Sequence, residues 1–413
     1  MEVGCVRYTI FETFVGAGGS HIGFKKAGFK SVFVNDIDEN CIKTLLYNNP
    51  EIKDTAIVKV QDFTTLNAYD LLSEMNMNKE ELDVMFGGIV CKGFSLAGER
   101  SPNDPRNNFY RYQLKLVNVI RPKISVIENV PGILNSEILS PNVPIEIREE
   151  VDILWKQIEN YKGKKAYARK NNTITMELES EGKFLREQKE LLIKKLKDNK
   201  YLISVKEDIC KIYTDMGYKI YMKVLNSAWY GSYTKRDRII IVAVRNDIEI
   251  PYEFPVPLFK EEKDFKTVGQ ALSLIDYSKK DPDNVPMSHN EKTVERFKYV
   301  GEGENLAQKI DILPDDLKIS KFYSRGSTMR LDSKKCSPTL VPGHSNFPIH
   351  PFEHRCITVR EASTITGFPL DYKFFGSHTK RCEQVGNAVP PHLSFAIATQ
   401  CKQLLDKYYK KIK

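Results

Sequence analysis

The residues best placed to do chemistry lie between Asp83 and Arg100, in DVMFGGIVCKGFSLAGER. Val84-Met85-Phe86 reads as a short apolar strand and Gly87-Gly88 as a sharp turn. Cys91 follows just past the strand end, in a loop that carries Gly93, Phe94, Ser95 and Gly98. Glycines on both sides let backbone approach a ligand closely and let a thiol stand out from a sheet edge. A thiol acts as a nucleophile through its thiolate, in a partly exposed and electropositive place, and Lys92 and Arg100 are candidates for that charge. The other role open to Cys91 is that of a small buried apolar residue.

Four more stretches carry groups that could act with it. YTIFETF (8–14) reads as a strand, followed by Val15-Gly16-Ala17-Gly18-Gly19-Ser20 and a helical run. Strand, glycine loop and helix build a nucleotide-sized site at the carboxyl edge of an α/β sheet. His21 holds the position of the third glycine in GxGxxG, which disfavours a pyrophosphate clamp. The next strand (31–35) ends at Asp36, about twenty residues past the loop, where an acidic residue commonly binds ribose hydroxyls. Asp38 suits the N-cap of a helix over 38–47, and Ile37 could lie against an adenine face. A third strand (56–60) leads to Asp62, a possible acceptor for an adenine amino group. Three successive strand ends of this kind point to an adenosyl site.

The strand at 123–127 ends in Glu128-Asn129. A carboxylate there is expensive to bury unless it is partnered or protonated, which makes Glu128 a candidate proton donor. Lys235-Arg236-Asp237-Arg238 opens a very apolar strand (239–244), as either an anion or base-edge site or a charged hairpin turn.

These groups need a frame, and the chain is long enough to give one. Its 413 residues, 41% hydrophobic and 28% charged, fit a globular protein of two or three domains. There is no run of eighteen apolar residues and no secretory signal pattern, so neither a membrane span nor export is expected. The net charge of +8 permits a polyanionic partner without demonstrating one. Eight cysteines without CxxC pairing argue against a zinc cluster or disulfide framework and for a reducing compartment. Helices are expected at 109–120 and 202–216, and a strand at 218–225. Residues 141–200 are charge-rich with helical spacing and read as two helices. Pro251, Pro255 and Pro257 mark a boundary before an irregular stretch to about 351. An amphipathic helix follows Thr358, and a last helix spans about 392–408.

In chain order, TFVGAGGSHIGF, VNDID, GGIVCKGFSLAGER, IENVPGIL, YGSYTKRDRIIIVAVR, HRCITVREASTITGFP and QVGNAVPP resemble the motifs of the cytosine-C5 DNA methyltransferases of bacterial restriction-modification systems. Only the 141–200 insertion and the irregular domain lie outside the resemblance. It implies a Rossmann-like α/β sheet that uses S-adenosylmethionine and no metal, with a smaller, irregular target-recognition domain. The implied division is a catalytic domain over 1–250, a recognition domain over 251–350 and a return to the catalytic domain over 351–413. The resemblance makes Cys91 the nucleophile, Glu128 the proton donor to cytosine N3, and Arg238 (with Arg236 beside it) the group holding the base at its O2 edge. Asn129 would orient the loop. Cofactor contacts fall on Phe14, Gly16, Gly18, Gly19, Asp36, Ile37, Asp62, Phe109 and Asn387. Lys92, Ser95, Arg100, Arg325, Arg330, His344, Ser345 and Asn346 are candidate DNA contacts. The implied partner is double-stranded DNA, met as a monomer in the bacterial cytoplasm, with a cognate restriction endonuclease acting on the same site.

Two departures stand out. The family's Pro-Cys-Gln is here Val90-Cys91-Lys92, and its Ile/Val-Pro-Gln is Ser232-Tyr233-Thr234. A cytosine-C5 methyltransferase of RNA (tRNA), or a DNA-binding homologue without turnover, are the alternatives.

Overall fold

The computed structural model describes residues 8–89, 101–171, 173–319, 326–343 and 347–412. They fall into two compact units. The first takes in the chain up to Gly88, Leu116–Glu128 and Tyr221 onward; the second takes in Ile89–Lys115 and Asn129–Ile220.

The first unit is built on a sheet. Its early strands are β1 (Thr9–Thr13), β2 (Lys30–Asp36), β3 (Ile57–Val60), β4 (Val84–Gly88) and β5 (Ile124–Asn129). The helices between them are α1 (Gly19–Ala27), α2 (Glu39–Asn48), the short α3 (Ile52–Thr55), α4 (Ala68–Glu74) and α5 (Phe109–Ile120). The second unit supplies β6 (Glu137–Leu139), α6 (Ile145–Lys170), α7 (Met176–Asp198), β7 (Leu202–Ser204) and α8 (Val205–Asp215). The sheet is completed by β8 (Tyr218–Asn226) and β9 (Asp237–Arg245), in the order β3-β2-β1-β4-β5-β9-β8. The four ladders joining β1 to β5 are parallel. This is the mixed α/β architecture, with a mostly parallel central sheet, that the sequence implies.

Alternation along the strands explains the core. Val84 and Phe86, Ile124 and Val126, and Ile240, Val242 and Val244 turn one face inward. They meet Phe24 of α1 and Leu393, Ile397 and Leu404 of the last helix, α13 (Pro391–Ile412). The strand order also places the site. From β1 the chain moves outward through β2 and β3, then returns to β4 on the other side of β1. The carboxyl ends of β1 and β4 therefore flank the switch point at which open α/β sheets bind ligands. The glycine loop leaves one of them and the Cys91 segment the other.

Past β9 come short helices, α9 (Val268–Leu272) and α10 (Glu291–Phe297), among several single 3-10 turns, then α11 (Val359–Thr366) and α12 (His378–Asn387). Expected as amphipathic, α11 is instead buried along its whole length. Glu361 is satisfied internally: it takes two 2.8 Å bonds from Arg355 and closes a capping box with Thr358. The helix expected at 202–216 begins later. Leu202–Ser204 pair antiparallel with Glu137–Leu139 as β7, and the Ser204 side chain then caps α8 by accepting from the Glu207 amide. No helix among the described residues is long and apolar enough to cross a membrane.

Candidate active site

The glycine loop is shaped by backbone that side chains rarely tolerate. Phe14, at φ 52, and Gly16, at φ 55, are both left-handed; such a conformation in a non-glycine residue is costly and typically found at functional sites. A Cβ built on Gly16 meets nothing within 4 Å, so this face of the loop is open. Gly18 and Gly19 differ. A Cβ on Gly18 would meet Leu45 at 2.7 Å and the Tyr372 hydroxyl at 2.8 Å, and one on Gly19 would meet the Val389 carbonyl at 2.3 Å. Gly16 thus leaves room for a ligand, while Gly18 and Gly19 let the loop pack.

Buried polar groups that sequence reasoning missed hold this loop. Glu12 of β1 is fully buried; it accepts from Ser20 Oγ at 3.0 Å and pairs with His21 Nδ1 at 2.9 Å, pinning the start of α1. The Tyr372 hydroxyl donates to the Ala17 carbonyl at 2.6 Å. A glutamate inside the apolar YTIFETF was a readable signal for Glu12. Tyr372 comes from more than 300 residues away and offered none.

Asp36 takes the Gly16 amide on Oδ2 at 2.8 Å and the Asp38 amide on Oδ1 at 2.9 Å. Burial raises its carboxyl above the ordinary value, while the two amides pull it down. Each oxygen keeps a further lone pair, enough for two ribose hydroxyls. Asp38 caps α2 as expected, accepting from the Asn40 amide. Ile37 is 69% exposed beside Asp36, a bare apolar surface at the strand end. Asp62 starts a 3-10 turn, its Oδ1 accepting from the amide and the hydroxyl of Thr64. The Phe14 ring lies 4.7 Å from that of Phe63, next in sequence. An open glycine face, two strand-end carboxylates and an exposed isoleucine fit an adenosyl group.

Glu128 sits at the end of β5, level with Gly88 of β4. Its Oε1 lies 2.7 Å from Arg238 Nε, with both side chains largely shielded from solvent. The partner that a buried carboxylate requires is therefore Arg238. This arginine is the second residue of β9, which begins at Asp237 and not at Ile239 as the sequence suggested, so the strand fixes its direction. Gly88 also lies close to the Phe14 carbonyl, which brings the glycine loop, β4 and Glu128 to one place. In the second unit, Asn129 donates to the Ile89 carbonyl at 3.2 Å and accepts from its neighbour Val130.

Two arginines expected at the business end have other work. Arg236 is buried, and its Nη1 donates to the carbonyls of Gly386 and Leu340; it braces the seam between β9 and α12 and does not join Glu128. Arg330, expected to contact DNA, is 4% exposed. Its guanidinium is held by the carbonyls of Phe297, Val300, His350 and Glu353, so it pins the 297–300 and 350–353 segments together. The unusual Ser232-Tyr233-Thr234 belongs to the same seam as Arg236: Thr234 donates to Pro338, and the Lys235 amide to Ser337. Asn387 is exposed at the end of α12, and Phe109 opens α5 in the second unit. Cys91, Lys92, Ser95, Arg100, Arg325, His344, Ser345 and Asn346 lie outside the described residues. Among the described cysteines, burial pushes Cys336, Cys356, Cys382 and Cys401 up to about 12 and also raises Cys41 and Cys210. Those thiols stay protonated near neutral pH.

Residues 8–143 and 189–403 match the family model of the C-5 cytosine-specific DNA methylases. The chain belongs to this family. Among curated relatives, the Type II methyltransferase M.Eco47II of Escherichia coli is 29% identical over 418 residues, spanning 98% of this chain and 81% of that protein. M.DdeI of Desulfomicrobium norvegicum is 26% identical, spanning 94% and 87%. A solved putative DNA modification methyltransferase encoded within an E. coli prophage superposes with a TM-score of 0.64 at 21% identity, over 97% of this chain and 99% of that one. The S. pombe Dnmt2 methyltransferase follows at 0.54 and 16% identity, over 97% and 99%. At those identities the structural matches speak for the fold alone. As a C-5 cytosine-specific DNA methylase, this chain has one internal segment the family match omits, residues 144–188.

Proposed function

We propose that this methylase modifies cytosine within one short sequence of double-stranded DNA, as the protective half of a type II restriction-modification system in a bacterial cytoplasm. The observation that carries the reading is the Glu128–Arg238 pair, set at the strand end next to Gly88, from which the chain runs on to Cys91. The target carbon is stacked inside a duplex, so the cytosine must swing out, at a cost of a few kcal/mol. The Cys91 thiolate then adds to C6, and the ring's electrons shift toward N3 and O2. Arg238 turns from Glu128 to the O2 edge of the base. Glu128, losing its cation and its water together, takes up a proton and hands it to N3. C5 becomes nucleophilic as a result. Asn129 steadies the backbone from which the nucleophile loop departs.

S-adenosylmethionine, when bound, supplies the methyl group to C5. Gly16 admits its body, Gly18 and Gly19 hold the loop in the shape that receives it, Asp36 accepts from the ribose, Ile37 and Phe14 flank the adenine, and Asp62 accepts from the adenine amine. Phe109 and Asn387 complete these contacts. A base or water then takes the C5 proton, the electrons of that bond expel the thiolate from C6, and N3 returns its proton to Glu128. The recognition segment is assigned to 251–350, with a single copy of the chain acting at each site and a cognate endonuclease cutting the unmodified sequence.

The test is expression in a host lacking its own cytosine methylation, with 5-methylcytosine mapped at single-base resolution. Full modification within one short motif supports the reading; methylation absent from DNA and present in RNA overturns it.

A further inference from the structure

Residues 144–188, outside the family match, make up most of a helical hairpin with its own core. Val151, Trp155 and Ile158 of α6 pack on Leu185, Leu192 and Leu196 of α7. A second face of the same hairpin also reads in heptads. On α7 it runs Glu181, Phe184, Gln188, Leu191, Lys195; on α6 it runs Glu150, Ile153, Gln157 and, one heptad on, Lys164. From its base end, at Glu150 and Lys195, as far as Gln157 and Phe184 this face is an open groove whose apolar residues, Ile153, Phe184 and Leu191, are 59%, 57% and 61% exposed. Three large apolar side chains sharing one exposed groove are more than scattered surface hydrophobes, and mark an interaction site.

The charges at its two ends say what covers it. Toward the base, Glu150 of α6 pairs with Lys195 of α7 at 2.6 Å. Toward the tip the signs are exchanged: Lys164 of α6 pairs with Glu181 of α7 at 2.9 Å. Glu150 and Lys164 each stand seven residues from Gln157, and Lys195 and Glu181 each seven from Gln188, about 10 Å either way at the helical rise. We infer that this face binds the same face of a second copy of the chain, antiparallel, to give a four-helix bundle. A two-fold axis through Gln157 and Gln188 brings Glu150 opposite Lys164 of the other copy, and Lys195 opposite Glu181. The same rotation lays Phe184 on Leu191. Parallel stacking about a two-fold along the helices would also oppose unlike charges, Glu150 to Lys195 and Lys164 to Glu181, but it lays α7 on α6 and so loses the contact of Phe184 with Leu191, which decides for the antiparallel arrangement. The residues named span about 21 Å, and the whole hairpin about 35 Å; overlap along the full hairpin, two helices wide, would bury roughly 600–700 Å² per copy, the low end for a specific interface. The dimer is therefore weak, forming at micromolar concentrations or above.

Sedimentation velocity on the full chain over a concentration series tests this, with two designed variants. The tip swap (Lys164→Glu with Glu181→Lys) keeps the pair within each hairpin but sets like charges against the other copy's base. The base swap (Glu150→Lys with Lys195→Glu) does the same from the other end. The parent should dimerise reversibly, and either swap alone should weaken the dimer at least about tenfold with helix content by circular dichroism unchanged. An equimolar mixture of the two swaps should associate again. A parent that stays monomeric throughout overturns the inference, as do swaps that dimerise like the parent or a mixture that fails to associate. Should one swap disturb the fold, the other gives the same reading alone.

Discussion

Arg238 Nε lies 2.7 Å from Glu128 Oε1, joining the second residue of β9 to the end of the neighbouring β5. In the proposed reaction these two side chains serve the O2 and N3 edges of cytosine. Without the base they neutralise each other, and the pocket stays formed without a buried unpaired charge. Removing either half should have different consequences for stability and for turnover.

Arg238→Ala leaves the Glu128 carboxylate shielded and unpaired, and should cost about 1–3 kcal/mol of folding stability. Glu128→Gln keeps an acceptor for Arg238 and should cost much less. Both should lower methylation by roughly 10²–10⁴-fold. Denaturant unfolding beside steady-state kinetics separates the two effects.

The glycines of the first loop should divide between binding and folding. Gly16→Ala adds a methyl group to the open face, so it should weaken S-adenosylmethionine binding, with roughly 1 kcal/mol lost to its left-handed backbone. Gly19→Ala drives a Cβ onto the Val389 carbonyl and should lower the melting temperature before it touches affinity. Calorimetric titration and thermal melts on both variants check the split.

Burial raises the Asp36 carboxyl, so it takes up its proton at a higher pH than an ordinary aspartate. Its ionised form is the better acceptor for ribose hydroxyls. Cofactor affinity should therefore hold at neutral pH and fall in acid, beginning above the usual aspartate value near 3.9. Because ionisation is disfavoured in the folded state, the same group opposes folding above its raised value and ceases to as the pH drops below the ordinary one. Asp36→Asn should flatten the binding profile, as read by titration calorimetry across pH.

Arg330→Ala removes a buried guanidinium from four carbonyls that nothing else replaces, and should destabilise the fold by about 3 kcal/mol or more. Arg330→Lys cannot reproduce the planar fork and should recover little. A melting curve shows the loss; unchanged stability with altered sequence preference would return Arg330 to the DNA surface.

Much of the catalytic frame was legible because its signals are local. A strand followed by glycines, an acid about twenty residues on, and a carboxylate ending an apolar run each depend on neighbours in sequence. Asp38, read as a cap from its position, caps α2. What could not be read depends on distant partners. Arg236 and Arg238 are two residues apart and chemically alike, yet one braces Gly386 while the other reaches Glu128. Arg330 resembles a DNA contact until the carbonyls around it are known. Tyr372 bonds the glycine loop from the far end of the chain. Polar residues at 358–366 suggested a solvent face, but Arg355 and the capping box satisfy Glu361 internally, leaving α11 wholly buried.

The central claim is that Cys91 forms a covalent bond to a cytosine held by Glu128 and Arg238. Trapping on duplex DNA with 5-fluorocytosine at the mapped target, in the presence of S-adenosylmethionine, tests it most directly, because fluorine blocks release of the thiol. The account predicts a denaturation-stable adduct with the parent chain, located on Cys91 by peptide mass spectrometry and absent from Cys91→Ala. An adduct that survives Cys91→Ala, or a parent that methylates ordinary DNA without ever trapping on the analogue, would contradict it.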